Sequence, residues 1–227
     1  MISVDRVSVR HPNGFESLRE VSLRIPTGSL VYLLGRAGSG KTTLLDAIGG
    51  MQQPTSGAIT VGGVDLMSLS EHALALRRRR IGQLWRTPRL HPDLTIGENV
   101  CLPLDMRDIP RADRELRVEA ALETVGLSSH RDTRPIWLNR LEQQRAAVAR
   151  MIAMEPEIIL ADEPMALLDR ESAAELELLL SQLATAARTV IIATQNREDS
   201  APRRKARVIL LNKGFLIDDQ GPDPYRG

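Results

Sequence analysis

Aromatic residues make up only 3% of this 227-residue chain, as two Trp, two Tyr and two Phe. Any core is therefore built from Leu, Ile, Val and Ala, within a hydrophobic share of 42%. That composition suits buried parallel strands flanked by helices. Cysteine is nearly absent: Cys101 stands alone, which excludes an internal disulfide and points to a reducing compartment. Neither sign of charge is in surplus, with 30 basic and 29 acidic residues and a net charge of +1. A global nucleic-acid-binding field is thus excluded, and no nucleic-acid partner is expected. No apolar run approaches the roughly 18 residues of a membrane span. The first residues alternate as a strand does, so no signal peptide is expected. The expectation is a cytoplasmic protein whose membrane contact comes through a partner.

The length allows one large α/β domain, or a core domain with a smaller insert. Ile2 to Val9 alternates apolar and polar residues, as a half-buried strand does, and His11-Pro12-Asn13-Gly14 is a turn. Leu18 to Ile25, Leu30 to Leu34 and Ala58 to Val61 read as further strands, with Lys41 to Ile48 opening a helix. From about Pro88 to Arg150 strand character fades. Arg111 to Val125 has helical spacing and stops at Gly126, and Leu141 to Met154 is a second helix. This stretch reads as an all-helical insert. Strands then return at Ile158 to Ala161 and Val190 to Ala193, around a helix from Ser172 to Ala186. Val208 to Leu211 and Phe215 to Ile217 read as a hairpin, before a mobile polar tail from Asp218 to Gly227. Arg77 to Arg80 and Arg203 to Lys205 read as solvated charge runs, and Trp85 and Trp137 as packing residues.

Gly35-Arg36-Ala37-Gly38-Ser39-Gly40-Lys41-Thr42 matches the G-x-x-x-x-G-K-[ST] pattern in full, and Thr43 follows it into the helix. The glycines let successive N–H groups point into one anion-sized hollow, and the helix adds its positive end. Lys41 supplies a point charge for the β and γ phosphates, and the Thr42 hydroxyl can ligate Mg2+. The buried strand before and the helix after argue against an ordinary glycine-rich turn. The expected ligand is ATP with Mg2+. Ile158-Ile159-Leu160-Ala161 runs into Asp162 and Glu163. A carboxylate at the end of a buried strand needs a partner, and Mg2+ is a good one for Asp162. Glu163 then sits nearer the γ phosphate, placed to orient or deprotonate a water. The alternative, an acid pair capping the next helix, is disfavoured by the phosphate loop upstream.

Together these motifs resemble the ATP-binding subunits of ABC transporters along essentially the whole chain. The likeness is greatest to the group of the cell-division ATPase FtsE and of the LolD and MacB export ATPases. Leu160-Ala161-Asp162-Glu163-Pro164 and Leu94-Thr95-Ile96-Gly97-Glu98-Asn99-Val100 carry it. The resemblance implies an α/β P-loop NTPase fold: a RecA-like core with an antiparallel β subdomain and an α-helical insert. It makes 1–227 one ATP-binding domain, with 1–87 and 151–227 as core and β subdomain and 88–150 as helical subdomain. It also implies a head-to-tail dimer, with itself or another ABC subunit, sandwiching two ATP molecules. An FtsX-like integral membrane permease would hold the dimer on the inner face of the cell membrane.

Four family positions carry unexpected residues. The adenine-stacking aromatic aligns with His11, and the metal-ligating glutamine with Arg86, whose guanidinium has only donors to offer. Arg86 is expected instead to reach a phosphate oxygen or to pair with Glu163, and Gln83, three residues earlier, is a stand-in for the glutamine. The signature motif reads Leu138-Asn139-Arg140-Leu141-Glu142, with Gln143-Gln144-Arg145 intact after it. Arg140 and Leu141 replace glycines that admit the opposite γ phosphate, while Asn139 and Glu142 make a helix-capping pair. The switch histidine aligns with Gln195; the acid Asp169 is retained. Loss of one preorganised transition-state donor costs roughly 3 kcal/mol, about 100-fold in rate. ATP hydrolysis is therefore expected to be weak, by Glu163 with Asp169 and Gln195, or the subunit to serve as a nucleotide-binding scaffold or heterodimer partner.

Overall fold

In a computed structural model describing residues 1–107, 109–195 and 206–221, two sheets and six α-helices form the fold. β1 (Ile2–Arg10) buries Ile2, Val4, Val7 and Val9 along one face and pairs antiparallel with β2 (Glu16–Ile25). With β4 (Ser56–Val61) and β5 (Val64–Asp65) they make a four-stranded antiparallel sheet ordered β2-β1-β4-β5.

The second sheet comprises β3 (Leu30–Leu34), β6 (Ile81–Trp85), β7 (Ile158–Asp162), β8 (Thr189–Thr194), β9 (Arg207–Asn212) and β10 (Phe215–Gln220). Its order is β10-β9-β3-β8-β7-β6, parallel throughout except at the β9–β10 hairpin. Alternate residues of the central strands point to opposite faces, and both faces are covered. Val31, Leu33, Leu160, Ile191 and Ala193 pack toward the antiparallel sheet and α1 (Lys41–Ile48). Tyr32, Ile159, Ala161, Val190 and Ile192 pack toward the helical side. This is why the central strands read as unbroken apolar runs.

The helical side holds α3 (Ile96–Asp105), α4 (Arg111–Thr124), α5 (Arg140–Ile152) and α6 (Arg170–Gln182). Both α3 and α5 begin with reciprocal capping boxes, Thr95 with Glu98 and Asn139 with Glu142. Asn99 is fully buried and secures the loop before α3. Its amide donates to the carbonyls of His91, Leu94 and Thr95, and its Oδ1 accepts from the His91 N–H.

The expected strands other than β10, and the helices at Lys41, Arg111 and Leu141, are found within two residues of their bounds; β10 runs three residues past the expected Ile217, to Gln220. α6 starts earlier and stops earlier than expected, because Asp169 caps it by accepting from the Ser172 N–H. Past Leu183 the chain turns through a Thr185–Arg188 bridge. α2 (Glu71–Arg78), β6 and α3 escaped the periodicity reading: Gly82 interrupts one apolar pattern, Gly97 and Pro103 another. Asp218 to Gln220, expected in a mobile tail, instead pair with β9. Arg203–Lys205 and the tail beyond residue 221 lie outside the described residues. Trp137 is 78% exposed, so it is not a packing residue. Trp85 is half-buried, with the Arg89 guanidinium 4.2 Å above its ring. Cys101, expected from its residue type to be a buried small hydrophobe, is only half-buried on α3; burial and nearby Asp105 raise its thiol pKa.

Replacing Asn99 by Ala strands a donor and several acceptors in a dry site. The expected cost is about 2–4 kcal/mol, readable as a shift in the urea unfolding midpoint with an unchanged m value.

Candidate nucleotide-binding site

Three loops leave the same edge of the six-stranded sheet: Gly35 to Gly40 after β3, Glu163 to Asp169 after β7, and Gln195 after β8. Leu34 lies opposite Thr194 and Asp162 opposite Ala193, which puts the loops side by side. This is the edge where open α/β sheets bind ligands.

The first loop is shaped by its glycines. Gly38 and Gly40 have φ of +73° and +103°, in the left-handed region that side chains resist. A Cβ on Gly40 would lie 2.4 Å from the Ser17 carbonyl oxygen, and one on Gly35 would lie 2.3 Å from Ser39 Oγ. Gly38 instead faces open space, while Arg36 and Ala37 are exposed beside it. Ser39 turns inward and donates its N–H to the Arg36 carbonyl. α1 begins at Gly40 without any side-chain cap, leaving its first N–H groups for an anion. Thr42 and Thr43 stand in its first turn.

Lys41 is 6% exposed. Its ammonium donates to the carbonyls of Gly35 at 2.8 Å and Arg36 at 3.2 Å, and lies 3.2 Å from Glu163 Oε1 as an ion pair. Thr42 Oγ1 donates to Asp162 Oδ2 at 2.7 Å, whereas Asp162 Oδ1 is buried with no partner. Burial raises the Asp162 pKa; the Thr42 hydrogen bond opposes the rise and Glu163 adds to it. Burial also raises that of Asp46, one helical turn after Thr42, and the charge of Asp162 contributes. A hydroxyl bonded to a carboxylate that keeps one buried oxygen free fits a divalent cation. Among the described residues no cluster of three or more His, Cys, Asp or Glu forms a cage.

Glu163 has a φ of +50°. Its N–H donates to the Ala193 carbonyl at 2.9 Å, and its Oε2 accepts from the Gln195 N–H at 3.3 Å. Gln195 thus sits beside Glu163. Arg86 does not pair with Glu163, whose cation is Lys41. Arg86 and Gln83 line a cavity of about 370 Å3 with Thr42, Asp46 and Asp162, behind the phosphate loop. His11 Nε2 bonds Ser17 Oγ at 2.9 Å, and its ring stacks on Phe15 at 6.1 Å.

The remaining residues lie elsewhere. The carboxylate of Asp169 caps α6, accepting from both the N–H and the hydroxyl of Ser172, and these bonds lower its pKa. Asn139 and Glu142 cap α5 as expected. Arg140 turns back onto its own chain and donates to the Leu167 carbonyl at 3.3 Å, and Leu141 packs against the helical-side core. Sequence reasoning missed three residues: Asp46, Phe15 and Gln144. Asp46 had a signal, lying four residues after Thr42 and hence on the same helix face.

The family model described as ABC transporter matches residues 18–166. The chain is 39% identical over 167 residues to the methionine import ATP-binding protein MetN 2 of Burkholderia mallei, covering 74% of this chain and 42% of that protein. It is 38% identical over 209 residues to the pyoverdine export ATP-binding/permease protein PvdT of Pseudomonas putida, covering 92% of this chain and 32% of that one. The chain thus spans less than half the length of these two relatives. Among solved structures, a dimeric ATP-binding cassette in a post-hydrolysis state, bound to ADP and Pi, superposes with a TM-score of 0.86. It is 30% identical, with 99% of this chain and 100% of the other covered.

The raised pKa of Asp162 means that the folded state keeps its proton to higher pH than the unfolded chain. Its charge therefore destabilises the nucleotide-free protein fully above the folded pKa, and less as pH falls toward the unfolded value. Asp162→Asn is expected to raise the calorimetric Tm of the nucleotide-free protein at neutral pH. That increment should shrink on acidification, and the variant should lose the Mg2+-dependent part of ATP affinity in titration calorimetry.

Proposed function

Because the chain belongs to the ABC transporter family, we propose that it is an ATP-binding subunit that couples ATP binding, and slow hydrolysis, to a membrane partner. The convergence of Lys41, Thr42, Asp162 and Glu163 on one sheet edge carries this reading. Lys41 would exchange its two carbonyls and Glu163 for the β and γ phosphates. Thr42 and Asp162 would hold Mg2+, which supplies positive charge at those phosphates. Glu163, released from Lys41, would orient a water, with Gln195 at its side.

Residues 1–87 and 151–227 would form the core and β subdomain and 88–150 the helical subdomain, with two copies, or one copy and another ABC subunit, closing over ATP. The partner proposed is an FtsX-like permease, by likeness to the FtsE group, which would bring the subunit to the inner face of the cell membrane. No helix among the described residues is long and apolar enough to cross a membrane. A groove of about 400 Å3 between α2, β6, α3 and α5, lined by Ile81, Trp85, Met106 and Met151 among others, supports docking of a partner segment.

Weak hydrolysis rests on the altered signature. Arg140 is committed to the Leu167 carbonyl of its own chain, and Leu141 packs its side chain against the helical-side core. The same contact favours a second reading, a heterodimer with a normal ABC subunit in which only one composite site works.

Glu163→Gln is expected to slow phosphate release by about 100-fold with ATP affinity nearly unchanged. A wild type no faster than this variant removes hydrolysis and leaves a nucleotide-gated scaffold. The combined reversion Arg86→Gln, Arg140→Gly, Leu141→Gly and Gln195→His is expected to raise turnover by at least about tenfold in the same assay. Recovery of self-dimers alone, with an excess of Mg2+-ATP and Glu163→Gln, argues against the heterodimer.

A further inference from the structure

Gln144, on α5 one turn after Arg140, is 3% exposed, and its side chain reaches out of its own helix to two loops. The amide nitrogen donates to the Pro164 carbonyl at 2.8 Å and lies 3.1 Å from the carbonyls of both Trp85 and Arg86. Two protons are thus shared among three acceptors, while Oε1 is buried without a partner. The amide's orientation follows from chemistry: turned over, it would aim its oxygen at three carbonyl oxygens.

The three acceptors belong to two separate pieces of the site. Pro164 follows Glu163, whose backbone is held at a φ of +50°. Trp85 ends β6 and Arg86 opens the turn beside the Thr42–Asp162 cavity. Arg140 and Gln144, four residues apart and so on one helix face, both bond carbonyls of the stretch after Glu163, at Leu167 and Pro164. The start of α5 is itself rigid: its capping box is closed, and Gln143 donates to the carbonyls of Pro135 and Leu138.

We propose that Gln144 is the positioning residue for Glu163, a buried amide that binds the start of α5, the Arg86 turn and the Glu163 loop into one moving unit. A displacement of α5 or of the Arg86 turn then reaches Glu163 through hydrogen bonds at Pro164, without passing through the sheet. An ordinary buried glutamine would support packing in general. This one joins the three segments whose relative placement decides whether Glu163 faces a phosphate. The catalytic consequence rests on the hydrolytic reading above; the mechanical one does not.

Gln144→Met keeps the side-chain volume and removes both protons. By hydrogen exchange of the full chain, segments 85–87 and 163–168 are expected to exchange together, about tenfold faster than in the wild type. The amides of Ala166 and Leu168, bonded to the carbonyls of Glu163 and Met165, report the second segment. β1 and α4 should keep their protection. In phosphate release, kcat is expected to fall about tenfold with KM within about twofold, and by nothing further in the Glu163→Gln background. Gln144→Asn, which withdraws the amide by one methylene, is read by the same assays if Gln144→Met does not fold. Exchange that quickens everywhere, or in neither segment or only one, overturns the proposal, as does a loss additive with Glu163→Gln. If the wild type shows no Glu163-dependent release, the hydrolytic reading fails and the exchange result alone decides the inference.

Discussion

A buried ammonium is the constraint around which the site is arranged. Lys41 lies almost out of solvent, where an unpaired charge costs several kcal/mol, and three oxygens from two loops answer it. Two are carbonyls of the phosphate loop itself, and the third belongs to Glu163. One cation thereby closes the loop on itself and tethers it to the end of β7. The same protons are the ones a phosphate needs. In the mode proposed above, nucleotide binding would replace one satisfied network by another and free Glu163 as it did so.

The tether works because the backbone has already brought its ends together. β3, β7 and β8 are neighbouring parallel strands in register, and each is followed directly by a residue of the site: Gly35, Glu163 and Gln195. Their two apolar faces pack against unlike layers, an antiparallel sheet with α1 on one side and helices on the other. The site edge lies over the seam between those layers. Gln144 and Arg140 reach it from the helical layer, and Thr42 and Asp46 from α1.

The sequence made the phosphate loop, the Asp162–Glu163 pair and the parallel core legible, because each rests on a local pattern with a backbone consequence. Glycine spacing encodes the loop, and an unbroken apolar run into acids encodes the end of a strand. Less legible were elements whose patterns are broken by function or packing, such as β6 with Gly82 and α3 with Pro103. Side-chain partners were the least legible. Asp169 spends its carboxylate on its own helix, Arg140 on its own chain, and Glu163 on Lys41 rather than Arg86. Each choice is made by tertiary neighbours more than 25 residues away or by capping geometry, and no short motif records it.

The scarcity of aromatic residues has an optical consequence. Nearly all of the protein's near-ultraviolet emission must come from two indoles in unlike settings. Trp137 stands in water just before α5, so its emission is red-shifted and open to collisional quenchers. Trp85 is half-shielded beneath a guanidinium, and its carbonyl is held by Gln144 at the rim of the nucleotide cavity. The two indoles flank the two ends of the Gln144 linkage. A quencher that reaches only Trp137 leaves an intrinsic spectroscopic window on the Arg86 turn, with no label added.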